Sequence, residues 1–225
     1  MFDLSVIVAN FKFLVVQGLL GLGGFAGGTL RLAIPAIVLG FVLGILVGLA
    51  RLARARWISV PAILYVEFFR GVPLVMVIFW IWFIIPQLLR VPIPEYGVAL
   101  TAFVIFEAAY FGEIVRAGIQ SVPRGQVEAA TAVGLTRAQT MRFVVLPQAL
   151  RNMVPSIVTQ MIVLFKDTSL ASIIGYVDLT KAAQIVNNRE IRPFELYLLI
   201  AVVYWVFTYS MSLAARRFER KTASA

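Results

Sequence analysis

Leu32 to Ala50 reads LAIPAIVLGFVLGILVGLA, nineteen residues without a charge. A helix rises about 1.5 Å per residue, so such a run matches the ~30 Å hydrocarbon core of a bilayer. Gly71 to Leu89, which carries Trp80 and Trp82, and Leu196 to Ala215 are equally free of charge. Two further apolar runs are interrupted: Tyr96 to Val115 holds Glu107 and Glu113, and Asn152 to Val177 holds Lys166 and Asp167. The pattern predicts an all-α polytopic membrane protein with five spans, near 30–50, 71–89, 96–115, 152–177 and 196–215. The composition agrees. Of 225 residues, 61% are hydrophobic and 14% charged, with a mean hydropathy of +0.92. A soluble domain carries about 25% charged residues, so an ordinary soluble enzyme, a disordered chain and a disulfide scaffold are excluded. There is no Cys and no His, which removes thiolate chemistry, the commonest general base and the commonest metal ligand.

Residues 1–28 read as an interfacial lead-in with a bend. Phe13 to Leu30 has no charge but contains Gly18, Gly21, Gly23, Gly24, Gly27 and Gly28, and each glycine weakens a helix by roughly 1 kcal/mol. The net charge of +9 comes from 20 Lys and Arg against 11 Asp and Glu. In a soluble protein it would point to nucleic acid; in a membrane protein it sets orientation, because basic residues collect in cytoplasmic loops. With five alternating spans, one side holds Arg51, Arg54, Arg56, Arg70, Arg116, Arg124, Arg137, Arg142, Arg151, Arg216, Arg217, Arg220 and Lys221. The remainder is Lys12, Arg31, Arg90, Lys166, Lys181, Arg189 and Arg192. This bias predicts the N-terminus outside and the C-terminus inside. The acidic start, Met1-Phe2-Asp3, lacks the basic region of a cleaved signal peptide.

The 116–151 segment is too polar to span. Arg116 to Gly125 reads as a helix end and a turn, with Pro123 and Gly125 redirecting the chain. Gln126 to Val133 reads as a short Ala-rich helix, and Gly134 suits a left-handed C-terminal position. Thr136 with Gln139 is a capping-box pattern for a second short helix, which Leu146-Pro147 should end or kink. The result is a helical hairpin on the cytoplasmic face. Its small Ala129 and Ala130 suit docking of a partner, and Glu128 suits pairing with a partner's Arg; a plain connector under the bundle fits equally.

These residues also resemble a family. Glu128-Ala129-Ala130, then Gly134, then Val144-x-Leu146-Pro147 is similar to the signature loop of binding-protein-dependent ABC importer permeases. That signature runs Glu-Ala-Ala, three residues, Gly, nine residues, Ile-x-Leu-Pro; only Val144 departs from it. Phe69-Arg70-Gly71-Val72-Pro73-Leu74, Phe106 to Tyr110 with Glu113, Arg116 to Ser121, and Leu164-Phe165-Lys166-Asp167-Thr168-Ser169-Leu170 look like elements of the polar amino acid permeases. The resemblance covers roughly residues 29–221, a single permease domain, leaving 222–225 as a tail. It is strongest to the glutamate/aspartate importer; permeases for glutamine, arginine or histidine are the alternative. It implies a multi-pass subunit of a bacterial inner membrane. Glu128, Ala129, Ala130, Gly134, Leu146 and Pro147 would form the contact with two copies of a separate ATPase. A second permease, related or identical, and a periplasmic amino-acid-binding protein would complete the system. ATP and Mg would sit on the ATPase, with no cofactor or metal in this chain.

Charges at membrane depth are costly and usually face a cavity or a partner. Glu67, Arg70, Glu107, Lys166 and Asp167 are such positions. Lys166 and Asp167 point about 100° apart on one helix, so each calls for a partner elsewhere, with Arg70 and Glu107 as candidates. Lys166, Asp167, Thr168, Ser169 and Glu107 form the expected substrate pathway or gate, the alternative being an internal salt bridge that fixes packing. Gly40, Gly44 and Gly48 form a stripe that lets helices approach closely. No P-loop motif occurs, so the chain does not bind ATP by one; the resemblance implies a transport subunit, not an enzyme, whose energy comes from the separate ATPase. Two rivals from other classes are an integral membrane enzyme and a self-sufficient channel or secondary transporter. Glu107 and Glu113, six residues apart on opposed faces, argue against the first, and the lack of inverted repeats against the second.

Overall fold

The computed structural model describes residues 4–22 and 27–223, with side chains to residue 217. Gly23, Gly24, Arg220 and Lys221, used above, lie wholly or in their side chains outside the described residues, as does the end of the tail. Helix α1 (Ser5–Phe11) passes into wide helical turns over Lys12–Leu19. Then come α2 (Thr29–Arg51), α3 (Arg56–Gly71), α4 (Leu74–Leu89), α5 (Glu95–Gln120), α6 (Arg124–Ala132) and α7 (Arg137–Thr140). They are followed by α8 (Leu146–Asp167), 3₁₀ turns over Thr168–Ile174, α9 (Leu179–Glu190) and α10 (Pro193–Ala223). Among the described residues, four runs are long and apolar enough to cross a bilayer: Thr29–Arg51, Glu95–Gln120, Arg137–Ile174 and Pro193–Arg217. The α3–α4 pair, bent by 105°, makes a fifth if counted as one broken span.

The bend has a local cause. Pro73 disfavours helical backbone at the residue before it, and Val72 is extended, at φ −113° and ψ 149°. Pro73 then starts α4, placing Leu74 in the core. The Phe69–Leu74 motif is thus the corner between two helices. The sequence reading places no span over 51–70 and sets Arg51, Arg54, Arg56 and Arg70 on the inner side; the structure makes most of this segment α3. It also departs at Leu146-Pro147. No helix end occurs there: wide turns over Met141–Val145 join α7 to α8, and Pro147 sits in the first turn of α8. A wide turn relieves the clash between a proline ring and the preceding carbonyls. The fourth span therefore begins within the hairpin, before Asn152. The segment after Val177, read as loop, contains α9.

Helices α2 and α5 form the spine. A Cβ at Gly44 would lie 2.5 Å from Phe111 Cβ, and one at Gly48 2.7 Å from the Gly112 carbonyl oxygen. The glycine stripe read from sequence is thus the face on which α5 packs. Around it, one large core joins Leu32, Ile78, Phe103, Phe106, Phe165 and Leu179. A second, small core of Val115, Val122, Val145, Ala149 and Met153 lies at the root of the hairpin.

The end opposite the hairpin is tied by short polar contacts. Thr29 Oγ1 donates to the Gly18 carbonyl (3.3 Å) and accepts from the Leu179 amide (3.1 Å). Tyr176 Oη donates to the Gly28 carbonyl (2.8 Å), and the Gly28 amide to the Val177 carbonyl (2.8 Å). Asp178, fully buried, caps α9 by accepting from the Thr180 and Lys181 amides and also accepts from Tyr204 Oη at 3.3 Å. Burial pushes its carboxyl up to about 6 against these lowering hydrogen bonds. The lead-in is built for this contact. A Cβ on Gly18 would meet Ala182 Cβ at 2.8 Å, and one on Gly27 the Val177 carbonyl at 2.2 Å. Ser5–Leu19 is apolar but below spanning length.

Candidate functional site

Glu107 sits midway along α5, fully buried. One carboxylate oxygen accepts from Gln160 Nε2 of α8 at 2.9 Å; the other is buried without a hydrogen-bond partner. One turn further along α5, Tyr110 feels the charges of Glu107, Asp167 and Arg70, and the Arg70 guanidinium lies 5.6 Å from its ring centroid. Sequence-predicted Arg70 thus lies over Tyr110, with Glu107 one turn before it on α5 and Asp167 at the end of α8. Lys166 is exposed, Asp167 and Ser169 partly buried. Thr168 turns into the protein, fully buried, and its hydroxyl donates to the Phe165 carbonyl at 2.7 Å. Gln160 and Tyr110 escaped the sequence reading because neither is charged. The only signal for Gln160 was an amide in an apolar run.

Asn152, Ser156, Thr159 and Lys166 are exposed along α8. Their spacings of four, three and seven residues put them on one helix face. A spanning helix cannot hold such a stripe against lipid; it faces water or another protein. By contrast, most outward residues of α10, among them Leu198, Val202, Trp205, Val206 and Leu213, are apolar. At the hairpin end of the stripe, an open cleft of about 250 Å³ lies between α5 and α8, lined by Glu113, Ser121, Asn152 and Ser156 among others.

In the hairpin, Glu128 and Ala129 are exposed while Ala130 is buried against its root. Gly134 ends α6 at φ +86°. The Leu135 amide donates to the Ala130 carbonyl (3.1 Å) and the Gly134 amide to the Thr131 carbonyl (3.0 Å), the two bonds of a Schellman ending. The Thr136–Gln139 capping box is formed in both directions. Val133 projects, 79% exposed, and Phe143 and Leu146 are exposed beyond it. A groove of about 390 Å³ separates the hairpin from the bundle, between Arg54 and Ile119 on one side and Val127, Arg137 and Met141 on the other.

Between the Tyr110 group and the hairpin lies an ionic junction that the sequence reading did not assemble. Glu113 on α5 accepts from Arg51, the last residue of α2, and from Arg116 through both carboxylate oxygens; Arg116 also donates to Gln120. Arg51 is 3.5 Å from Glu67 of α3 as well. Ser121, just past α5, accepts from Asn152 of α8 at 2.8 Å. Glu113 and Glu107 do not share a site, as their six-residue separation predicted.

A bent helical bundle with a polar stripe turned away from lipid and a projecting hairpin fits a multi-pass membrane permease. Residues 40–224 match the family of binding-protein-dependent transport system inner membrane components, and the chain belongs to that family. It is 39% identical to the glutamate/aspartate import permease protein GltK of Escherichia coli O6:H1 over 229 residues, covering 99% of each chain. It is 42% identical to the probable glutamine ABC transporter permease protein GlnP of Bacillus subtilis over 194 residues, covering 85% of this chain and 88% of that one. A crystal structure of an amino acid ABC transporter with histidines superposes with a TM-score of 0.90 at 33% identity, covering 98% of this chain and 99% of the other.

Proposed function

We propose that the chain is the permease subunit of an ATP-driven importer for polar amino acids, glutamate and aspartate first. A binding protein delivers the amino acid at the end tied by Thr29, Tyr176 and Asp178, which faces outward. The hairpin faces the cytoplasm. Glu128, Ala129, Ala130 and Gly134 dock on a separate ATPase, two copies of which serve a pair of permeases; ATP and Mg stay on those subunits. Leu146 and Pro147 carry the hairpin's second arm into α8, so its movement reaches the path directly. The polar stripe of α8 faces the second permease, related or identical, across a water-filled path in the bacterial inner membrane.

The observation that carries this reading is the buried Glu107–Gln160 pair behind the stripe. Polar groups are placed at mid-membrane only where they meet a polar solute or one another, and one Glu107 oxygen has no partner. Around Tyr110 the path offers carboxylates at Glu107 and Asp167 and a cation at Arg70, with Lys166 exposed on α8. Such a set meets both the ammonium and the carboxylate of an amino acid. Likeness over the full length to a glutamate/aspartate permease supports the acidic substrates; likeness to a glutamine permease supports an uncharged side chain.

Uptake by the reconstituted importer, competed in turn by glutamate, aspartate, glutamine, arginine and histidine, tests the assignment. Glutamate and aspartate are expected to compete best. Dominance of glutamine or a basic amino acid would transfer the assignment to that substrate, and indifference to all five would remove amino acids as the substrate class.

A further inference from the structure

The small core at the hairpin root holds only five buried residues, and the 390 Å³ groove leaves much of the hairpin unsupported. A push on α6 would therefore be absorbed by rocking at the root unless something stiffens the helices above it. The ionic junction lies in that position. Arg51 is 9% exposed in its side chain, and its Nε is buried without a hydrogen-bond partner. Its guanidinium contacts run to Glu113 of α5 and Glu67 of α3. A planar guanidinium holds two carboxylates in fixed directions, and a buried cation stripped of its partner is strongly destabilised. Glu113 passes the link to Arg116 near the end of α5, and just past that helix Ser121 accepts separately from Asn152 of α8.

We infer that Arg51 is a positioning residue of the transport cycle: it locks α2, α3 and α5 into one unit at the hairpin end, so that displacement of the hairpin moves the path-lining helices. This rests on the hairpin being the ATPase contact. Arg51 lies outside both the Tyr110 group and the cleft at the end of the stripe. Its loss uncouples the system without abolishing ATP hydrolysis or substrate affinity.

The test uses the complete importer in proteoliposomes, with ATP hydrolysed per amino acid taken up as the readout. A residue serving only the fold lowers the amount of assembled importer and leaves that ratio alone. Arg51→Gln is expected to raise the ratio about fivefold or more, the lower end of usual coupling energies, with unchanged affinity for the loaded binding protein. Arg51→Lys, which keeps the charge, is expected to recover at least half of the loss. Should Arg51→Gln fail to assemble, Glu113→Gln is read in the same way. A wild-type ratio in whichever variant assembles overturns the inference. So does loss of assembly in both, which would make the cluster a folding element alone. If hydrolysis in the wild-type importer is not stimulated by the loaded binding protein, the hairpin reading itself fails, and the inference with it.

Discussion

The two ends of the bundle are held by different physics. At the far end, glycines let backbone lie against backbone, and the contacts between elements are short neutral hydrogen bonds with a buried carboxyl among them. At the hairpin end the joints are ion pairs between long side chains, beside a groove of about 390 Å³. Close packing and short hydrogen bonds have one good geometry and lose their energy within a fraction of an ångström. Ion pairs fall off slowly with distance, and flexible side chains follow a partner that moves. On the proposed function, a hydrogen-bonded end and an ion-paired end on one bundle serve as the fixed pivot and the working tip of a lever.

The contrast breaks most visibly at the glycines. At Gly28 (φ +118°) a Cβ would sit 2.2 Å from Gly21 Cα, backbone against backbone. Gly28→Val is expected to cost roughly 3 kcal/mol or more from strain and overpacking together. Thermal denaturation of the detergent-solubilised importer should show that loss, with little folded protein recovered. Gly134 is the counterpart at the tip. Its φ is +86°, but nothing lies within 4 Å of an added Cβ. Gly134→Val is expected to cost only about 1–2 kcal/mol of backbone strain, leave the importer assembled, and abolish uptake while ATP hydrolysis continues. Normal uptake in that variant would remove the hairpin from the working tip. Equal stability losses in the two variants would abolish the contrast itself.

Asp178 gives the fixed end a pH signature. Its folded carboxyl titrates near 6, above the ordinary value of 3.8. The neutral form is therefore favoured by the fold: stability is fully present below about pH 3.8, falls as pH rises toward 6, and levels off above. Between pH 5 and pH 7 the loss is about 1 kcal/mol. Asp178→Asn keeps an acceptor for the cap and is expected to flatten that dependence in thermal denaturation run at both pH values. A variant with the same pH slope as wild type would remove Asp178 as its source.

How much of this was legible beforehand follows from what each feature depends on. Charge-free runs such as Leu32–Ala50 announce spans because the bilayer fixes their length, and Gly134 with Thr136–Gln139 announces the hairpin because caps are local chemistry. The glycine stripe on α2 was legible as a packing face, though not which helix it met. The lead-in glycines looked like helix breakers; their use appears only when 176–182 is brought against them. Helix α3 was hidden because its charges, Glu67 and Arg70, find partners on α2 and α5, and a run of sequence does not show partners from other helices. Of the path, Glu107 and Asp167 were legible as charges in apolar runs. Gln160 was not, and Thr168, marked with them, turns inward because the helix tightens to 3₁₀ turns after Asp167.

The smallest expected effect lies at the tip. Thr136 Oγ1 accepts from the Gln139 amide, and Gln139 returns a bond to the Thr136 amide at 2.8 Å. Both residues are exposed. Losing a side-chain cap costs about 1 kcal/mol, and here water replaces part of it. Thr136→Ala should therefore leave the unfolding temperature of the importer nearly unchanged. Its effect belongs to the hairpin, because α7 has four residues and starts at that cap. Hydrogen exchange at the amides of 137–140 is expected to quicken severalfold, with exchange at 176–182 unaffected. Faster exchange at both ends would mean that hairpin and far end open together, and the bundle would then be one cooperative body rather than a pivot and a tip.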